Sequence, residues 1–352
     1  MSLPELLANR PKPLDAKVVA ALAARYGISG TQASLASERD QNVLISQAGG
    51  KRYVLKIKNP AEPPELAQLE IDVLMRLERA LPDVDVPHVL GTLDGQRSIA
   101  CPTPDGVRCV RLLSYVPGRP LADLKSTAKL RLSVGETLAR ISLVLAGIHG
   151  HTPSPPLPWD LYQFVRLSGL LLESCDGELA RRNSDLIARW RASGLLESPI
   201  RNRTSAVPLQ LLHNDFNPYN ILIRDSVPDR VSGVIDFGDM AFGPPVFDLA
   251  VALAYWFQER DALAAMADVA CGFHRVRPLR HEELELLPLL IETRLMMTVL
   301  ITRWRAERNP ENRAYILRNE PAARAGLSAL RYLSAHDLCS YLQRRLSSGA
   351  PA

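Results

Sequence analysis

The sequence predicts an α+β fold in two lobes, a small β-rich lobe over residues 1–117 and a larger, mainly helical lobe over residues 118–352. Three observations carry this reading. Short β-branched and apolar runs, separated by turn signals, crowd the stretch from Thr31 to Val116. Pro117-Gly118 then marks a turn at which the composition changes. Beyond it, apolar residues recur at i, i+3 and i+4 over long spans, the spacing of helices that bury one face.

Asp15 to Tyr26 reads as an accessory helix, capped by Asp15 and closed by Gly27. Thr31 to Ala36, Val43 to Gln47 and Tyr53 to Ile57 read as a β-meander, with Gly49-Gly50 as a tight hairpin turn. Pro63 to Ala80 carries an apolar stripe through Leu66, Leu69, Val73, Leu74 and Leu77, so a helix follows the third strand. Runs around Arg97 to Cys101 and Val107 to Val116 complete the small sheet. In the larger lobe, Leu130 to His149 and Glu178 to Leu195 are helical, on either side of a Pro-rich loop at Thr152 to Pro158. Leu209 to Leu212, Ile221 to Ile223 and Val231 to Ile235 read as strands, the first two forming a small hairpin that grips a polar loop. Helices are expected over Val246 to Glu259, Asp261 to Phe273, Glu282 to Arg305 and Ala322 to Arg345. There is no internal repeat and no low-complexity tract.

The composition excludes several function classes. With 47% hydrophobic residues in a 352-residue chain and a mean hydropathy near zero, a sizeable core forms without any run long enough to span a bilayer. A net charge of +4, with no Lys/Arg block, suits an anionic nucleotide and argues against nucleic acid and membrane partners. The first residues lack a secretory signal, so the cytoplasm is the expected compartment. Cys101, Cys109, Cys175, Cys271 and Cys339 are scattered, with no C-x-x-C, and read as small buried hydrophobes rather than as disulfides or a zinc site.

The chemistry is concentrated in two motifs. His213-Asn-Asp-Phe-Asn-Pro-Tyr-Asn220 has the pattern H-x-D-x-x-x-x-N, and Asp236-Phe-Gly238 follows a short loop later. Moving a phosphoryl group needs positioning and charge neutralisation more than covalent help. Asp215 is therefore the catalytic carboxylate near the acceptor hydroxyl. Asn220 and Asp236 supply the hard oxygen ligands that Mg²⁺ prefers. A loop of turn formers would explain either motif alone; their coincidence in order and spacing favours phosphoryl transfer. Lys56, on the third strand, sits where a lysine meets nucleotide phosphates, with Glu70 as its partner from the middle of the next helix. Glu65, near that helix's start, complements the dipole instead, and Lys51 and Lys58 read as solvated. Ser114 and Val116, at the end of the small lobe, complete the nucleotide-binding set. No G-x-G-x-x-G occupies the first hairpin, whose turn is Ser37 to Asn42, and no A-P-E follows Asp236-Phe-Gly238. Both absences point away from protein kinases and toward small-molecule kinases.

These motifs resemble the aminoglycoside phosphotransferase and choline kinase-like family. The resemblance covers roughly Ser34 to the C-terminal helices and implies a two-lobed protein-kinase-like fold, ATP or GTP as phosphoryl donor, and Mg²⁺. It also implies that Asp248, in Phe247-Asp-Leu-Ala250, braces the catalytic loop together with His213. Glu38-Arg-Asp-Gln-Asn42, Trp159-Asp-Leu161 and Asn309-Pro-Glu-Asn312 look like the hydroxylysine kinase subgroup. That likeness implies a small acceptor bearing both a hydroxyl and an amino group, an amino acid or an amino alcohol.

On the acceptor side, Asp239, Asp160 and Glu259 are the carboxylates available for an ammonium, and Arg294, Arg303 and Arg305 the arginines available for a carboxylate. Each also has a plainer reading: Arg303 and Arg305 as a solvated face, Trp159 and Trp304 as packing, His149 and His151 as helix-end residues. The alternatives are a homoserine-, choline- or ethanolamine-type kinase, or an aminoglycoside phosphotransferase, which the Arg-rich stretch from Arg294 to Arg345 disfavours. A nucleotide-binding pseudokinase acting as an interaction module is the rival outside enzymes. Retention of Lys56, Asp215, Asn220 and Asp236 together argues against it.

Overall fold

The computed structural model describes residues 11–37, 39–149, 157–171, 177–195 and 209–348. Glu38, His151, Cys175 and most of the Pro-rich loop lie outside the described residues. The chain divides into two compact units, Met1–Pro117 with Gly233–Gly238, and Gly118–Ser232 with Asp239–Ala352.

In the first unit, helix α1 (Ala16–Ala24) begins where the Asp15 carboxylate accepts the backbone N–H groups of Lys17 and Val18. Strands β1 (Thr31–Leu35), β2 (Gln41–Ser46) and β3 (Arg52–Ile57) precede helix α2 (Pro64–Ala80). They are followed by β4 (Val89–Leu90), β5 (Ile99–Thr103) and β6 (Gly106–Ser114). The strands form one antiparallel sheet in the order β1-β2-β3-β6-β4, with β5 on β6. Val19, Leu22 and Ala23 of α1, with Tyr26, pack on Val43, Ile45, Leu55, Ile57, Val110 and Leu112. The Tyr26 hydroxyl donates to the Val110 carbonyl at 2.9 Å, so the ring is buried with its polar tip satisfied. Helix α2 has Pro at its first position and Glu65 in its first turn, both suited to a helix start. Its buried face carries Leu69, Val73, Leu74 and Leu77, each contributing roughly 1.5–3 kcal/mol on burial, and Glu70 lies on that same face. The later segment joins this unit through Val234, whose N–H donates to the Asp85 carbonyl at 2.9 Å. A Cβ on Gly233 would come within 2.8 Å of Val116, which is why no larger residue stands there.

The second unit is built on α3 (Ala128–Ala146), α4 (Phe164–Leu171), α5 (Gly177–Ala192), α6 (Val246–Leu253), α7 (Ala262–Val276) and α8 (His281–Arg308), followed by α9 (Arg313–Ile316), α10 (Glu320–Ala329) and α11 (Ala335–Ser348). Helices α3 and α7 meet backbone to backbone: a Cβ on Gly135 would sit 1.9 Å from the Val269 carbonyl, and one on Gly272 2.0 Å from that of Leu132. The central stretch of α8 is buried on nearly every side, including Leu287, Leu290, Ile291, Leu295 and Met296.

Several sequence expectations are corrected. The strand Gln210–Leu212 pairs with Ala241–Gly243, and Ile221–Ile223 pairs with Arg119–Pro120, so the two do not form a hairpin with each other. Residues 213–220 are too many for a tight hairpin turn and close on hydrogen bonds of their own. The helix expected over Ala322 to Arg345 is two, because Ser334 accepts the N–H of Asp337 and starts α11 afresh. The run from Val246 ends at Leu253 and continues only as a 3-10 turn, Trp256–Gln258, and α4 was not expected. Cys271 is buried, whereas Cys101, Cys109 and Cys339 are only half-buried. Among the described residues, no helix is long and apolar enough to cross a membrane.

Candidate active site

The charged residues of the first unit converge on its sheet. Strand β3 lies beside β6, with Lys56 opposite Arg111. Glu70, two per cent exposed, answers both: its Oε1 lies 3.1 Å from the Lys56 Nζ and its Oε2 2.9 Å from the Arg111 guanidinium. Arg111 also donates to the Ala67 carbonyl of α2 at 3.1 Å. Burial by itself would raise the Glu70 carboxyl, but Arg111 and then Lys56 outweigh it and hold it well below the usual carboxylate range. For Lys56, burial pulls down while Glu70 and Asp236 pull up, and the carboxylates win.

Lys56 also reaches Asp236, Nζ to Oδ1 3.2 Å, and the Asp236 carboxylate is half exposed. Asp236 adopts a left-handed backbone, φ 64°, a conformation that Asp and Asn tolerate better than other side chains do. A Cβ on Gly238 would crowd the Lys56 Nζ at 3.2 Å, so glycine keeps that approach open.

Lys58 is not solvated. It is four per cent exposed and pairs with Glu62 at 2.6 Å and Asp40 at 3.5 Å, while Arg39 lies 3.6 Å from Glu62. Asp40 also accepts the Asn59 N–H. The β1–β2 turn is thus tied down by ion pairs where a glycine-rich loop would rely on bare backbone. Ser114 accepts the His88 N–H on its Oγ and gives its own N–H to the His88 carbonyl, and Val116 is buried. Ser114 thus spends its hydroxyl and its N–H on His88, which leaves its carbonyl, with the main chain of Val116, as what the pair could offer a base.

In the second unit, the loop after Gln210–Leu212 is braced from α6. The buried Asp248 carboxylate accepts the N–H of His213 at 2.9 Å and of Asn214 at 2.7 Å. Burial pushes Asp248 up to about 6, with those two N–H groups pulling the other way. Asn214 takes the left-handed conformation, φ 64°, and donates its side-chain amide to the Asp239 carbonyl. The Asp215 N–H donates to the His213 Nδ1, which places the imidazole proton on Nε2. The His213 ring is buried, edge-on to Phe216.

Both oxygens of Asp215 are engaged. Asn220 donates from Nδ2 to Oδ2 at 2.9 Å, and the guanidinium of Arg294 on α8 donates to Oδ1 at 3.0 Å. Arg294 is buried, its Cζ 4.8 Å from the centroid of the Trp159 ring, with further contacts to the Trp159 carbonyl and the Tyr255 hydroxyl. It is therefore committed to Asp215 and does not stand open to an acceptor carboxylate. Asn220 Nδ2 donates as well to the Asp215 carbonyl at 2.9 Å, so the amide donor is spent within the loop and Oδ1 is its remaining acceptor. Asn220 Oδ1 and the half-exposed Asp236 carboxylate are hard oxygen donors of the kind a magnesium ion takes.

The other acceptor-side expectations divide. Asp160 caps the 3-10 turn Leu161–Gln163 through the Tyr162 N–H at 3.0 Å, and burial pushes its carboxyl up to about 6, so the structure gives it a local architectural job. Glu259 accepts from Ser126, and Arg303 pairs with Glu320. Arg305 is buried rather than on a solvated face, while Trp159 and Trp304 pack as expected. Asp239 is half-buried and its charge is felt at Arg294. Sequence reasoning missed Arg111 and the Arg294–Asp215 pair. The available signal was a charge inside an apolar run, Val110-Arg-Leu-Leu113 and Arg294-Leu-Met-Met297, which demands a partner.

Residues 31–279 match the profile of the APH phosphotransferase enzyme family. The hydroxylysine kinase of Danio rerio is 25% identical over 322 residues, covering 88% of this chain and 89% of that protein. Among solved structures, amicoumacin kinase hAmiN in complex with AMP-PNP, Ca²⁺ and Ami superposes with a TM-score of 0.64 at 16% identity, over 87% of this chain and 93% of that one. The microcompartment-associated aminopropanol kinase does so with 0.62 at 20% identity, over 96% and 99%. At such identities the structural likeness speaks for the fold, a β-rich unit and a helical unit of the kinase-like kind. By its matched span the chain belongs to the APH phosphotransferase enzyme family, and it is a small-molecule kinase acting on a hydroxyl group.

Proposed function

We propose that the protein transfers the γ-phosphoryl group of ATP or GTP to the hydroxyl of a small amino-bearing metabolite, a hydroxylysine-like amino acid or an amino alcohol. The observation that carries this is the state of Asp215: fixed at both oxygens by Asn220 and Arg294, in a loop braced by Asp248, it is held to orient an acceptor hydroxyl and take its proton. Lys56, aimed by Glu70, pairs with the nucleotide phosphates, and the main chain at Ser114 and Val116 meets the base. Asn220 and Asp236 would each offer an oxygen to Mg²⁺, which would supply charge to offset that of the phosphates. The likeness to hydroxylysine kinase supports the acceptor class.

The test is a nucleotide-consumption screen with ATP and GTP against hydroxylysine, homoserine, choline, ethanolamine and representative aminoglycosides, run with wild type and Asp215→Ala. Turnover of an amino-bearing alcohol is expected, reduced on the order of 10²–10⁴-fold in the variant with nucleotide affinity nearly intact. Wild-type rates in Asp215→Ala would remove that residue from the mechanism.

A further inference from the structure

The segment that follows α8 is not used by the mechanism so far. Asn309-Pro-Glu-Asn312 forms a 3-10 turn, Pro310–Asn312, that leads into α9 and a second turn, Leu317–Asn319. This path delivers Arg318 onto two tyrosines: its guanidinium lies 4.1 Å from the Tyr315 ring and 4.5 Å from the Tyr219 ring. Tyr219 belongs to the catalytic loop, next to Asn220. Two hydrogen bonds, Asn217 N–H to the Asp215 carbonyl at 2.8 Å and Asn220 N–H to the Asn217 carbonyl at 3.0 Å, fold that loop tightly, so Tyr219 stays close to Asp215.

Several arginines of α8 and α10 have partners of their own. Arg294 holds Asp215, Arg303 and Arg324 share Glu320, and Arg308 stacks on Trp304 beside Glu307. Arg318 is exposed, and among the described residues no carboxylate lies within ion-pair distance of it. A cation–π contact uses the charge of a guanidinium without consuming its N–H groups, the fork that grips a carboxylate with two parallel bonds. Contact with two rings also restrains the side chain, so less of its freedom remains to be lost on binding. A surface arginine on an aromatic ring is common by itself. What singles this one out is that one of its rings is part of the loop that carries Asp215.

We infer that Arg318, in contact with the rings of Tyr219 and Tyr315, binds the carboxylate of the acceptor and so selects an amino acid over the corresponding amino alcohol. This rests on the proposed amino-bearing acceptor and narrows it. The ammonium is assigned to Asp239, half-buried on the same unit.

The experiment compares kcat/KM for two matched pairs, hydroxylysine with its decarboxylated analogue and homoserine with 3-aminopropan-1-ol, in wild type, Arg318→Gln, Arg318→Lys and Tyr315→Leu. Wild type should prefer the carboxylate-bearing member of the pair it accepts. Arg318→Gln should lower that preference about 10–100-fold, chiefly through KM, the range of a charge-assisted hydrogen-bonded pair. Arg318→Lys keeps the charge without the fork and should recover part of it. Tyr315→Leu, which frees the guanidinium, should lose part of it. Equal losses on both members of a pair would reduce Arg318 to a structural role and overturn the inference. Turnover of the amino alcohols alone would leave the acceptor class standing and sink the carboxylate anchor, whereas turnover of none of the four would sink both.

Discussion

Replacing Glu70 should damage the first unit far more than replacing Lys56, although the two form one ion pair. Glu70 balances two buried cations: Lys56, whose side chain is eight per cent exposed, and Arg111, which is fully buried. Glu70→Gln keeps the shape and removes the charge, leaving Arg111 without its carboxylate and Lys56 with only the half-exposed, solvent-screened Asp236. Removing one partner of a buried pair costs about 3–5 kcal/mol, because the other charge stays desolvated. Lys56→Met leaves Glu70 still paired with Arg111 at 2.9 Å, so a loss of only about 1.5–3 kcal/mol is expected, the scale of one charged hydrogen bond. The pH dependence has a definite sign. Glu70 is held below its unfolded value, so its contribution is full above about pH 4.3 and is lost as pH falls toward its folded value. The gap between wild type and Glu70→Gln should therefore be widest near neutrality and narrow in acid. Hydrogen exchange of the β3 and β6 amides reads this unit alone, and urea unfolding gives the global value. If Lys56→Met proves as damaging as Glu70→Gln, or Glu70→Gln costs less than about 1 kcal/mol, the shared-carboxylate account is wrong.

Two further expectations concern the second unit. Arg294→Ala frees one oxygen of Asp215 and should lower kcat by on the order of 10²-fold with nucleotide affinity within a few-fold; added guanidinium should restore part of the rate, and an unaltered kcat would mean the ion pair is only architectural. Asp160→Asn preserves the cap, since Asn and Asp cap equally well, and removes a buried charge. Because the folded carboxyl is raised to about 6 from an unfolded value near 3.9, native Asp160 favours folding below that window and loses the advantage as pH rises through 6. The variant should accordingly be more stable than wild type by about 1–3 kcal/mol above pH 6 and indistinguishable from it near pH 4 in thermal denaturation; a uniform offset across pH would contradict the burial argument.

Much of the chemistry is legible from sequence because it is local. His213, Asp215 and Asn220 lie within one short loop, so their hydrogen bonds to one another are nearly dictated by spacing, as is the Asp15 cap on α1. The apolar stripe of α2 follows from period in the same way, whereas the return of Gly233–Gly238 to the first unit has no signal in composition. Even the break between α10 and α11 has a local cause in Ser334, though helical periodicity conceals it. Lys51 and Lys58 show where local reading stops: one type of residue in one stretch of chain, one exposed, the other buried between Asp40 and Glu62. Arg294 and Asp215 stand 79 positions apart and leave no pattern in the chain. By itself the sequence determines which polar groups stand together in the loop from His213 to Asn220, since loop spacing and side-chain type are short-range properties. Only the tertiary structure decides which charges are buried and what neutralises them, because desolvation depends on every element packed around a group and a counter-ion can come from any of them.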